Sequence, residues 1–159
     1  MSKQIILLRH AQTAGKQAGQ RDYDRVLTPE GEAQARKAGH HMIRNSLHPD
    51  ILISSSALRA RQTSLLINES TRLAQDRMVF LDTLYEADGD TWLLQLRQLD
   101  DRYNTVICVG HNPTLSWLAS HLSRRPIDLA PAGWIAFRSP SLSWSSADQD
   151  FMEIPLLNL

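Results

Sequence analysis

A single cysteine, Cys108, is the only thiol in the 159 residues. That excludes an internal disulfide and a cysteine zinc cluster, and it points to a reducing compartment. Charge of one sign is not in excess either, since 17 basic and 17 acidic side chains cancel. Neither nucleic acid nor an anionic membrane is therefore expected as a partner, and any anion site has to be local. No apolar run approaches the ~18 residues of a membrane helix, and Ile5 to Leu8 is too short for the apolar stretch of a signal peptide. The expectation is a soluble, cytoplasmic protein. Glycine and proline number only 7 each, which excludes collagen-like and low-complexity chains, while 42% hydrophobic residues are enough to bury a core. The length suits one domain, so residues 1–159 read as a single unit. There is no internal repeat, no Gly-x-Ser-x-Gly elbow and no glycine-rich nucleotide loop, which argues against a serine hydrolase and a nucleotide-binding fold.

What is present alternates short apolar runs with longer segments of helical period, the pattern of helices covering a largely parallel sheet. Ile5 to Leu8 opens as a buried strand. Thr28-Pro29-Glu30 combines a hydroxyl cap, a proline at the first helical position and an early acid, and predicts a helix with Ala35, Ala38, Met42 and Ile43 on its apolar face. A strand at Asp50 to Ile53 ends in three serines, and a helix follows from about Leu58 to Ala74. Met78 to Leu81 reads as a short strand, and a helix after Gly89-Asp90 carries Trp92, Leu96 and Leu99 on one side. Thr105 to Val109 is a strand running into Gly110-His111-Asn112-Pro113, followed by a helix with Leu115, Leu118, Ala119 and Leu122. Trp134 to Phe137 and Phe151 to Ile154 lack intervening helices, so a late antiparallel edge is expected. Trp92, Trp117 and Trp134 read as core, as does Cys108.

In open α/β sheets ligands sit outside the carboxyl ends of the strands. Three predicted strand ends deliver Arg9-His10, the Ser55-Ser56 segment leading to Arg59 and Arg61, and Gly110-His111-Asn112. Two imidazoles about 100 residues apart would then meet beside at least one guanidinium. Arginine offers a planar fork of donors matched to phosphate, and neutral imidazole is a nucleophile or base near pH 7. A phosphoryl group is the natural guest: one imidazole attacks phosphorus while the arginines and the other imidazole hold its oxygens. A carboxylic acid is also needed, and Glu86 is the candidate with Asp88 close behind. The loop from Gln12 to Val26 is long enough to close over a ligand; its Arg21 and Arg25 read as surface groups or contacts to a remote part of the substrate. His48 and His121 read as structural. Neighbouring His40 and His41 point about 100° apart on a helix and make no natural metal pair.

Leu7-Leu8-Arg9-His10-Ala11 resembles the arginine-histidine-glycine signature of the histidine phosphatase superfamily, the phosphoglycerate-mutase-like enzymes. Leu27-Thr28-Pro29-Glu30-Gly31, Ser55 to Thr63 and Val109 to Pro113 are similar to three further blocks of that family, in family order. The short combined form most resembles the small phosphohistidine phosphatase branch. The resemblance implies a three-layer α/β/α domain with a mixed, mostly parallel sheet. It implies a phosphatase working through a covalent intermediate on His10, with Arg9 and Arg59 binding phosphate and His111 completing the pocket. No metal and no organic cofactor are implied, and the substrate would be a phosphorylated protein or a small phosphorylated metabolite. The alternative is a phosphate-sensing or regulatory module that kept the pocket but lost turnover. Two departures stand out: Ala11 replaces the usual glycine and Ser56 the usual proline. Ala11 fits only if the backbone there avoids positive φ.

Overall fold

The computed structural model describes residues 2–157. Six strands form one sheet: β1 (Lys3–Arg9), β2 (Ile51–Ser55), β3 (Met78–Leu81), β4 (Thr105–Gly110), β5 (Trp134–Ser139) and β6 (Met152–Glu153). Their order across the sheet is β3-β2-β4-β1-β5-β6. The first four run parallel, whereas β5 is antiparallel to β1 and β6 to β5, so the late edge is antiparallel as the sequence suggested.

Both faces of this sheet are covered because successive side chains on a strand point to opposite sides. On one face Ile5, Leu7, Ile53, Val106 and Cys108 pack with Trp92, Leu93 and Leu96 of α3 (Gly89–Arg97) and Leu115, Leu118 and Leu122 of α4 (Thr114–Ser123). On the other, Ile6, Leu8, Leu52, Ile107 and Val109 meet Ala38 and Met42 of α1 (Pro29–Arg44) and Ala60 and Ile67 of α2 (Leu58–Thr71). Each such aliphatic side chain taken out of water stabilises the fold by roughly 1.5–3 kcal/mol. The continuous apolar runs at β1 and β4 are the signature of strands buried on both faces.

Local chemistry sets the helix ends. The Thr28 hydroxyl accepts the Gly31 N–H at 2.9 Å, and Pro29 follows at the first helical position. Gly31 is required by space: a Cβ there would lie 2.1 Å from the Gln12 carbonyl oxygen, so the start of α1 presses directly on the segment leaving β1. Helix α2 stops three residues before the expected Ala74. Arg72 takes a left-handed conformation, and the Asn68 side chain both accepts from Leu73 N and donates to Leu73 O, which closes the helix locally. Trp92 is buried as expected and Trp134 is partly so, but Trp117 is 47% exposed on the outer side of α4.

Candidate active site

β1 and β4 are neighbours in register, with Arg9 opposite Gly110 and His10 N donating to Gly110 O at 3.0 Å. The residues that follow, His10 and His111, therefore emerge side by side, with ring centroids 5.2 Å apart. Arg59 arrives from the second residue of α2 and is only 7% exposed. A guanidinium there faces the positive end of the helix dipole, an unfavourable position that a nearby anion relieves. Asp22 supplies one: Arg59 Nη1 donates to its carbonyl oxygen at 2.8 Å and Nη2 to its Oδ2 at 3.0 Å. Arg9 donates from Nη1 to the Leu129 carbonyl at 3.1 Å. Arg9 Nε and His111 Nδ1 are buried and have no hydrogen-bond partner among the described residues. Buried polar atoms in folded proteins are nearly always met by protein, water or a bound group, so these two donors are available to one.

The hydrogen bonds fix which ring nitrogens carry protons. His10 Nδ1 lies 2.8 Å from the Ala11 carbonyl, which only accepts, so Nδ1 holds the hydrogen and Nε2 keeps its lone pair. Ser55 Oγ accepts the Ala57 N–H at 3.2 Å, and the one acceptor in reach of its own hydrogen among the described residues is His111 Nε2, 2.8 Å away, so the hydroxyl donates to that nitrogen. His111 Nδ1 is then a donor. Burial lowers the His10 pKa to about 4, against the opposing hydrogen bond to Ala11, and the positive charges of Arg59, Arg9 and Arg25 push in the same direction as burial. Burial, followed by Arg59 and His10, lowers His111 to about 3. Both rings are neutral at physiological pH, with a lone pair on His10 Nε2 and a hydrogen on His111 Nδ1.

The remaining predicted residues divide. Glu86 is exposed and lines a cavity of about 180 Å³ together with His111, Tyr85 and Asn112. Asp88 caps α3, accepting both the Thr91 N–H and the Thr91 hydroxyl at 2.8 Å, and its carboxyl is thereby held below the usual range. Ala11 is absent from the positive-φ residues and is buried, with its N–H donating to Thr63 Oγ1 at 3.1 Å, so alanine fits the position without strain. Ser56 donates to Asp82, a bond that proline would forgo. Arg61 stacks on Phe80 at 4.3 Å. Arg21 pairs with Asp24 at the surface, whereas Arg25 turns inward to Thr13, Ala14 and Asp22. Cys108 is fully buried, and desolvation raises its thiol pKa. No group of three or more potential metal-ligating side chains occurs among the described residues, and no helix there is long and apolar enough to cross a membrane.

Asp22 and Tyr85 escaped the sequence reading. The Tyr85 hydroxyl donates to Asp22 Oδ2 at 2.6 Å, and this bond, with Arg25 and Arg59, lowers the Asp22 pKa to about 2. Tyr23 packs edge-on against Tyr85, with ring centroids 5.1 Å apart. The loop from Gln12 to Val26 is thus folded against the site and tied to it through Asp22. Sequence signals for these partners were slight, because the contacts join a loop to residues 37 and 63 positions away.

The model of the histidine phosphatase superfamily (branch 1) matches residues 5–103. The chain belongs to that superfamily. Its second histidine, His111, lies beyond the matched stretch and is tied to the motif by its 5.2 Å approach to His10. A chloroplastic protein of Arabidopsis thaliana, itself uncharacterised, is 30% identical over 156 residues, covering 92% of this chain and 71% of the relative. Among solved structures, a SixA chain from Agrobacterium tumefaciens superposes with a TM-score of 0.84 at 24% identity, covering 100% of this chain and 99% of that one. The protein histidine phosphatase SixA complexed with tungstate gives 0.80 at 20% identity, covering 96% and 94%. At these identities the two structures establish that this histidine phosphatase shares their fold.

Proposed function

We propose that this chain is a phosphatase that passes a phosphoryl group through His10, and that its substrate is a phosphorylated histidine of another protein. One observation carries the reading: a neutral imidazole with its Nε2 lone pair available stands beside two buried, unpartnered donors, Arg9 Nε and His111 Nδ1. Such donors suit the oxygens of a transferring PO3 group, whose charge spreads over its equatorial positions.

The lone pair of His10 Nε2 attacks phosphorus in line. The new P–N bond forms as the bond to the leaving group breaks, and Arg9, Arg59 and His111 hold the phosphoryl oxygens. Glu86, lining the cavity against His111, gives its proton to the leaving atom. Asp88 is occupied in capping α3, and Asp22 in its bonds to Arg59 and Tyr85, so neither is free for that step. In the second half a water attacks phosphorus, Glu86 takes its proton, and the P–N bond to His10 breaks to release phosphate. A phosphohistidine nitrogen leaves more readily than an alkoxide, which suits a site whose acid is exposed. The tungstate held by the SixA relative is a tetrahedral oxyanion like phosphate.

The test is a parallel assay of phosphohistidine protein, phosphotyrosine, phosphoserine and sugar phosphates. The reading expects the highest kcat/KM on phosphohistidine. A sugar phosphate turned over faster overturns the substrate, and no turnover of any overturns the enzyme.

A further inference from the structure

Beside the cavity that Glu86 and His111 line lies a second depression of about 360 Å³, lined by Asp88, Gly89, Asp90, Pro113, Thr114 and Trp117. Pro113 and Thr114 also line the cavity against His111, so the two adjoin across these residues. Its wall is the exposed indole of Trp117, 47% accessible, held flat by His121 stacked on it at 5.1 Å and 8°. The edge of the indole abuts Gly89, where a Cβ would come within 2.0 Å of the ring, so only glycine permits this placement. The Thr114 hydroxyl donates to Ala87 O at 2.9 Å and fixes the floor to the loop before α3. A large aromatic group exposed yet held on one face and at one edge has the character of a recognition surface, unlike a lone apolar residue on a surface.

Resting on the phosphatase reading above, we infer that this trough binds a lysine or arginine side chain close to the phosphorylated residue of a protein substrate. Charge decides the occupant. The catalytic pocket gathers Arg9, Arg25 and Arg59, whereas the trough is rimmed by Asp88 and Asp90, with Glu86 on the adjoining cavity. The partial positive charge at the start of α3 is about half a unit and is outweighed by two full carboxylates in the same turn. A guest with a dianion at one end and a cation at the other matches both halves. An aliphatic stem lies along Trp117 while its cationic head meets the carboxylates and the indole face. A small phosphorylated metabolite fills the first cavity alone and leaves the trough in water.

The experiment uses phosphohistidine peptides carrying arginine, leucine or glutamate in turn at each flanking position, with N-phosphorylimidazole as a substrate that has no flanks. At one or more positions arginine is expected to exceed glutamate in kcat/KM by roughly three- to tenfold, the scale of one exposed cation–π contact with one rim ion pair. Trp117→Ala and the exposed Asp90→Asn should each reduce that ratio to within about twofold and leave N-phosphorylimidazole turnover unchanged. Calorimetric binding of the same peptides to His10→Ala reads the trough without turnover. Equal rates for all peptides, a preference for leucine, or an arginine preference that survives both variants overturns the inference. Loss of all turnover with arginine-selective binding intact overturns the phosphatase reading and upholds the trough; hydrolysis without selectivity does the reverse.

Discussion

Protonation of His10 couples the chemistry of the site to the stability of the fold. In the unfolded chain a histidine titrates near 6.5, whereas burial in the folded protein lowers His10 to about 4. As pH falls below 6.5 the unfolded chain takes up its proton first, so acid favours unfolding across the window from about 6.5 to 4, and below 4 this contribution stops changing. At 1.36 kcal/mol for each tenfold step the full interval is worth about 3 kcal/mol, and water at the pocket mouth trims it to about 2–3 kcal/mol. His10→Gln removes the titrating group and keeps a side chain of similar reach. Urea unfolding at pH 7, 5.5 and 4 should show the wild-type protein losing about 2–3 kcal/mol more than the variant between the extremes. Parallel stability curves would refute the argument. The same lowering places the acid limb of kcat/KM near pH 4, since the nucleophile must be unprotonated; a limb centred at 6.5 would show a solvated imidazole and contradict the geometry.

Substitutions at three positions probe the surroundings of that ring. Arg59→Ala should lower kcat/KM by roughly 10²–10³, the scale for losing one preorganised charge donor, and Arg59→Lys should recover little of it because an ammonium cannot reproduce the fork; equal steady-state rates for lysine and arginine would reject that role. Ser55→Ala strands His111 Nε2 and the Ala57 N–H, so thermal unfolding should show a loss of about 1–3 kcal/mol, and kcat should fall because Nδ1 is no longer fixed as the donor. Gly31→Ala drives a Cβ to 2.1 Å from the Gln12 carbonyl, which should cost about 1–3 kcal/mol in denaturant titration; an unchanged midpoint would mean that the loop after β1 yields freely.

The central layer was legible because its signals are local or periodic. The apolar runs at Ile5 to Leu8 and Thr105 to Val109, and the polar residues that end them, placed both histidines at strand ends before any geometry was known. Thr28 and Pro29 announced α1 by the chemistry of a single turn. Asp22 and Tyr85 were illegible for the opposite reason: their bonds to Arg59 and to each other join a loop, a helix start and a strand exit, and nothing in their immediate neighbourhood marks them. Arg59 did carry a usable hint, since a cation at a helix start asks for an anion, and the anion present is a carboxylate of the loop. Trp117 was misread although its helix contained the answer. It stands two residues from buried Leu115, about 200° around the helix, and so faces away from the sheet.

The most direct test of the account is to mix the protein with labelled phosphohistidine substrate, quench within one turnover and map the adduct by mass spectrometry. The account predicts one phosphoryl group on His10, labile to acid and stable to alkali, and no adduct in His10→Ala. Label on any other residue, or sustained turnover with His10 never phosphorylated, would contradict it.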